Sequence, residues 1–127
     1  MNLSSDNFKH LDPITTEFTL NGLNYSPSLL WTDPLSYGNG YLIMMVNSKT
    51  KNIHWATMAN KDKSSLGVNE KTGYESVNYT GPNDKNDIVA YTITIYSLIN
   101  PELQFQKIIE KDNVVDSAYI KFIYNGF

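Results

Sequence analysis

Apolar residues in this chain fall in the runs typical of strands and almost nowhere in a helical stripe. Tyr41-Leu42-Ile43-Met44-Met45-Val46 is a continuous apolar run set between Gly38-Asn39-Gly40 and Asn47-Ser48. Its length predicts a strand buried on both faces. Asn52-Ile53-His54-Trp55-Ala56-Thr57-Met58 reads as its neighbour. Ile88 to Leu98 is β-branched or aromatic at most positions and gives the clearest strand of the chain. Tyr119 to Tyr124 alternates and is expected to close the sheet. Glu17-Phe18-Thr19-Leu20 alternates as well and meets the turn pair Asn21-Gly22, so a further strand is predicted there.

One segment reads as helix. Asn100 can cap, Pro101 suits the first helical position and Glu102 the positive end. Leu103, Phe105, Ile108 and Ile109 supply an imperfect apolar stripe up to about Asn113. Residues 60–86 are rich in Lys, Ser, Asn and Gly and are expected to be mostly loop, a length that more often carries function than not. No repeat or break in composition marks a second domain, so 1–127 is read as one mainly β unit.

Composition narrows the chemistry. The chain has no cysteine, which removes disulfide scaffolds, thiol nucleophiles and Cys-ligated metal sites. All ten of its basic residues are lysines. Bidentate guanidinium capture of phosphate or carboxylate is therefore absent. Net charge is −3 and no basic block exists, so the counterion release that drives nucleic-acid binding has no source here. The longest apolar run is far too short to span a membrane. The first residues show no basic region followed by an apolar stretch, so a cytoplasmic location is expected. Asparagine makes up about one residue in eight, and with Lys in place of Arg this fits an AT-rich genome, a viral one included.

Only two histidines are available. His10, in a polar segment near Asp12, reads as a surface residue. His54 sits inside an apolar strand directly before Trp55, so strand alternation puts the two on opposite faces. Two readings of His54 stay open: a buried imidazole satisfied by a backbone carbonyl, or a pocket residue at the end of a strand pair. No Ser/His/Asp spacing and no phosphate-binding glycine loop is present. Gly38-Asn39-Gly40 lacks a following Lys or helix start and reads as a turn into a strand. Tyr79-Thr80-Gly81-Pro82 by itself reads as an ordinary loop closure.

Taken in order, these pieces resemble the phosphatidylethanolamine-binding protein family, also called the Raf kinase inhibitor family, and in particular its short bacterial-type members. Ser26-Pro27-Ser28-Leu29-Leu30-Trp31 is similar to the family's S-P-x-L-x-W stretch leading into the core. Tyr41 to Val46 resembles the strand before its Asp-Pro-Asp loop, and His54-Trp55 its His-Trp pair. Lys71-Thr72-Gly73-Tyr74 and Tyr79-Thr80-Gly81-Pro82 look like the G-Y and Y-x-G-P loops. Tyr91 to Leu98 resembles the long strand, and Ser117-Ala118 to Tyr124 the C-terminal one. The match runs through nearly the whole chain in the right order. It implies a central sheet packed on a second, smaller sheet, with one or two short helices near the C-terminus.

The resemblance also implies a small anion pocket at one end of the central sheet, which accepts phosphate-like head groups. Carried over residue by residue, it keeps His54, Trp55, Tyr79, Gly81 and Pro82, with Asn47 at the start of the replaced loop. The chain departs from the pattern in two places. Asn47-Ser48 stands where Asp-Pro-Asp is expected, and Val89-Ala90 where a His-Arg pair is expected. Charge-assisted bonds contribute roughly 1.5–3 kcal/mol each, so losing the cations leaves an anion affinity expected to be millimolar or weaker. The expected function is a non-enzymatic binding or regulatory protein with a largely degenerate head-group pocket. It would act on a protein partner, a kinase or host factor, through surfaces such as 60–86. One alternative is a small-ligand protein with an altered pocket at His54; another is a structural or assembly component. No cofactor and no metal are implied, and a monomer or homodimer is expected.

Overall fold

The computed structural model describes residues 1–103 and 105–127. Among the described residues there are eight strands: β1 (Asn2–Ser4), β2 (Leu29–Thr32), β3 (Gly40–Asn47), β4 (Ile53–Asn60), β5 (Ser65–Leu66), β6 (Glu75–Val77), β7 (Ile88–Leu98) and β8 (Val114–Asn125). They form a five-stranded sheet in the order β6-β4-β3-β7-β8 and a three-stranded sheet in the order β1-β2-β5. Every strand pairing is antiparallel.

The apolar run at 41–46 becomes β3, the middle strand of the larger sheet, and this position explains its pattern. A central strand covered on both faces has no polar side to show. On one face, Tyr41, Ile43 and Met45 join Val89, Tyr91, Ile93 and Ile95 of β7, and the small sheet packs over them with Leu29, Trp31 and Leu66. On the other face, Leu42 and Met44 join Ala56, Leu98 and Ile108. The strands expected at 52–58, 88–98 and 119–124 form as β4, β7 and the second half of β8.

Three local expectations change. Residues 17–20 do not form a strand. They contain a 3-10 turn at Thr16–Phe18, with Phe18 fully buried and Leu20 41% exposed. The reason is that this segment's polar groups are claimed from outside any ladder. Tyr79 Oη donates to the Phe18 carbonyl at 2.7 Å, and Thr19 Oγ1 donates back to the Thr16 carbonyl at 2.7 Å.

The helix expected from Asn100 to about Asn113 shrinks to α1 (Phe105–Ile108) and a 3-10 turn at Lys111–Asn113. Residue 104 lies outside the described residues, as does the Phe105 side chain of the expected stripe. Asn100 caps no helix; its Oδ1 accepts the Glu102 N–H at 3.1 Å and shapes a turn around Pro101. Buried Asn113 closes the segment, donating to the carbonyls of Asn100 and Ile108 and accepting the Asn100 N–H. The stretch at 60–86 is mostly loop, as expected, but it also supplies β5 and β6.

The outer edge of β8 is covered. Residues 11–14 run along it, with Leu11 N–H donating to the Lys121 carbonyl, Ile14 N–H to the Ile123 carbonyl, and Ile123 N–H to the Asp12 carbonyl. The His10 ring accepts the Lys121 N–H through Nδ1 at 3.1 Å. An open ladder is a template for pairing with another chain, and this strap closes part of it.

Candidate functional site

Strand alternation predicts that His54 and Trp55 face opposite ways, and the structure corrects this. Met45 pairs with Trp55, and Val46 pairs with Ile53. His54 is thus the extra residue of a β-bulge. A bulge breaks the two-residue period and turns its side chain. Trp55 enters the core between the sheets, 5.5 Å from the Tyr79 ring. His54 also reaches that side, edge-on to Tyr91 with ring centroids 5.0 Å apart.

The structure gives His54 the backbone-carbonyl partner that one of its two readings expects. Its Nδ1 lies 2.8 Å from the Thr80 carbonyl. A carbonyl only accepts, so Nδ1 carries the proton. The Thr80 N–H donates back to the His54 carbonyl at 2.8 Å, which clamps the residue at two points. The ring is half-buried at the end of the β3–β4 pair.

Asn47 ends β3 and is 2% exposed. Its Oδ1 accepts the backbone N–H groups of Lys49 and Thr50 at 2.9 and 3.0 Å. Those two donors fix which end of the amide is oxygen, so Nδ2 must point the other way. Nδ2 donates to Asp84 Oδ1 at 3.0 Å and to Tyr91 Oη at 3.1 Å. Tyr91 in turn donates to Asp84 Oδ2 at 2.5 Å. The Tyr91 ring stacks on Phe122 at 5.5 Å and is fully buried. Burial, and after it the bond and charge of Asp84, hold the Tyr91 hydroxyl well above the ordinary phenol range.

The remaining expected residues are placed differently. The Tyr79 hydroxyl turns inward to the Phe18 carbonyl, and burial raises its pKa. Gly81 N–H donates to Asn24 Oδ1 at 2.6 Å, and the Pro82 carbonyl accepts the Leu20 N–H at 3.1 Å. A Cβ on Gly81 would lie 2.5 Å from the Phe18 carbonyl oxygen. Trp55, Tyr79, Gly81 and Pro82 therefore fasten the 18–24 segment and the core. Asn47 and His54 come together with two residues the sequence reading did not select, Tyr91 and Asp84. Tyr91 was legible as a buried aromatic of a central strand. Asp84 carried only a faint signal, a carboxylate three residues after Gly81.

Val89 and Ala90 stand where the resemblance places a cationic pair. Val89 is 2% exposed and belongs to the core between the sheets. Two surface cavities, of about 360 and 230 Å³, lie elsewhere. The larger is bounded by Gly40, Met58, Tyr74 and Pro101; the smaller by Pro13, Ile14, Thr16 and the end of β8. Among the described residues no helix is long and apolar enough to cross a membrane, and no group of three His, Asp or Glu is placed to hold a metal ion.

This arrangement, a small antiparallel sheet packed on a larger one, is the fold of the phosphatidylethanolamine-binding proteins. E. coli YbcL, described as a member of the mammalian PEBP family, superposes with a TM-score of 0.83 at 17% identity, covering 98% of this chain and 97% of its own. A PEBP homologue from Chlamydia trachomatis, CT736, superposes with a TM-score of 0.82 at 17% identity, covering 98% and 96%. No family model and no curated protein matches the chain by sequence.

Proposed function

We propose that this protein is a non-enzymatic binding module with the PEBP fold, whose head-group pocket does not take phosphate. The observation that carries this reading is the use of the pocket's donors. Asn47 Nδ2 and the Tyr91 hydroxyl are both spent on Asp84, a carboxylate of the same chain. A phosphate arriving there meets a negative charge in place of a cation, since Val89 and Ala90 supply none. His54 has its Nδ1 proton committed to Thr80, and among the described residues no partner base orients it for acid–base work.

The module then acts through protein surfaces. Residues 60–86 offer Val68 and Tyr74, 42% and 74% exposed, on a loop beside β4. Modulation of a kinase or host factor, as in the family that the sequence resembles, is the form this takes in our reading. Titration with phosphorylethanolamine, followed through the ring signals of His54 and Tyr91, tests the closed pocket. The expected result is no saturable shift up to tens of millimolar. Binding tighter than about millimolar would refute the reading.

A further inference from the structure

We propose that Asn47 and Tyr91 form a carboxylate-binding site, and that Asp84 is its tethered internal ligand. This rests on the closed-pocket reading above and adds the chemistry the site selects. Two donors from different strands, β3 and β7, converge on the two oxygens of one carboxylate. Asn47 Nδ2 takes Oδ1 and Tyr91 Oη takes Oδ2, and the Asn47-to-Tyr91 bond joins the donors to each other. Both donors sit on side chains that are 2% exposed or less. A group with two coplanar oxygens satisfies this pair. A phosphate would bring further oxygens and a second charge, and the nearby Lys49 ammonium is already engaged with Asp87 at 2.5 Å.

The loop that delivers Asp84 is held by contacts other than its own carboxylate. Asn86 N–H donates to the Gly126 carbonyl at 3.0 Å, and Gly126 N–H donates to the Asp87 carbonyl at 2.8 Å. The approach is so close that a Cβ on Gly126 would lie 1.9 Å from the Asp84 carbonyl oxygen. Truncating the Asp84 side chain therefore leaves the loop pinned and opens a carboxylate-sized space lined by two buried donors. Such donors are costly to leave unpaired, which favours uptake of a small carboxylate from solution. Binding to the folded state alone raises the melting temperature by mass action.

The test compares the wild type, Asp84→Ala and Asp84→Asn in sodium formate, with sodium chloride at equal ionic strength and sodium phosphate as controls. Melting temperature and the Asn47 side-chain amide resonances are read together. The expected result is a saturable rise of about 3–6 °C for Asp84→Ala at tenfold the formate Kd, with a matching shift of the Asn47 amide. The wild type and Asp84→Asn, whose sites are filled, do not respond. Adding Tyr91→Phe to Asp84→Ala abolishes the effect. If Asp84→Ala is unfolded in plain buffer, folding in formate and not in chloride is the expected rescue. Failure to fold in formate, an equal response to chloride, or a larger response to phosphate overturns the proposal. Phosphorylethanolamine binding to the wild type would refute the closed pocket while leaving the formate result to stand on its own.

Discussion

Replacing Asn47 by aspartate exchanges one NH2 group for an oxygen at the centre of the site and leaves the side-chain volume unchanged. The Oδ1 that accepts the Lys49 and Thr50 N–H groups is kept, so the turn after β3 survives. What changes is the atom facing Asp84 Oδ1 at 3.0 Å. At neutral pH the variant loses a hydrogen bond to a charged group, about 1.5–3 kcal/mol. It also sets two carboxylates against each other. At an effective dielectric constant of 20, unit charges at that distance repel by about 5 kcal/mol. Protonation caps this cost. Holding an aspartate of ordinary pKa, about 3.9, neutral at pH 7 takes at most about 4 kcal/mol. The predicted destabilisation at pH 7 is therefore about 2–4 kcal/mol.

The sign of the pH dependence follows. The carboxylate pair binds a proton more tightly in the folded than in the unfolded chain, so lowering the pH favours the folded variant. By pH 4.5 the protonation cost falls below about 1 kcal/mol and the new carboxylic acid can donate to Asp84 again. Urea denaturation of both proteins at the two pH values measures the difference. A variant less stable by the same amount at both, or as stable as the wild type at pH 7, would show that Asn47 and Asp84 are not in contact and would refute the reasoning.

Two further outcomes are expected. Gly81→Ala drives a Cβ to 2.5–2.8 Å from backbone atoms of Phe18, Thr19 and Leu20, and overpacking against backbone costs about 1–3 kcal/mol; a stability within about 0.5 kcal/mol of wild type, the size of an ordinary surface effect, would contradict that close approach. In alkali, the relevant groups are Tyr41, raised from the ordinary 10.0 to about 12 by burial and by Asp33, and Tyr79 and Tyr91, raised chiefly by burial. A raised pKa means the unfolded chain releases its proton first, so this stability is complete below pH 10 and is lost as pH rises through the folded values. Tyrosinate absorbance and circular dichroism together should show these hydroxyls ionising with unfolding; full ionisation of all nine tyrosines in a folded chain would disprove it.

What could be read in the sequence was the part whose physics is local or periodic. The run at 41–46 could only satisfy its apolar side chains between two covered faces, and it became the central strand of the larger sheet. Residues 88–98 kept the predicted bounds because their alternation places Val89, Tyr91, Ile93 and Ile95 on one buried face. The order of motifs pointed to the fold, and the likeness to the YbcL and CT736 structures supports it. By contrast, residues 17–20 alternate like a strand, yet Phe18 is drawn into the core and its carbonyl is taken by Tyr79, 61 residues away.

Around the site, the sequence by itself determined that the expected cations were missing and that His54 lay at a strand end. Only the tertiary structure decided what fills their place. The bulge that turns His54 toward Tyr91 is a mismatch of register between two strands, and neither strand encodes it alone. Asp84 meets Asn47 across 37 residues of chain because Gly126, on yet another segment, allows the loop to approach. Periodicity names the face a side chain takes. Which polar groups meet at a sheet's end depends on loops closing against one another, and their hydrogen bonds are settled only when the whole chain is packed.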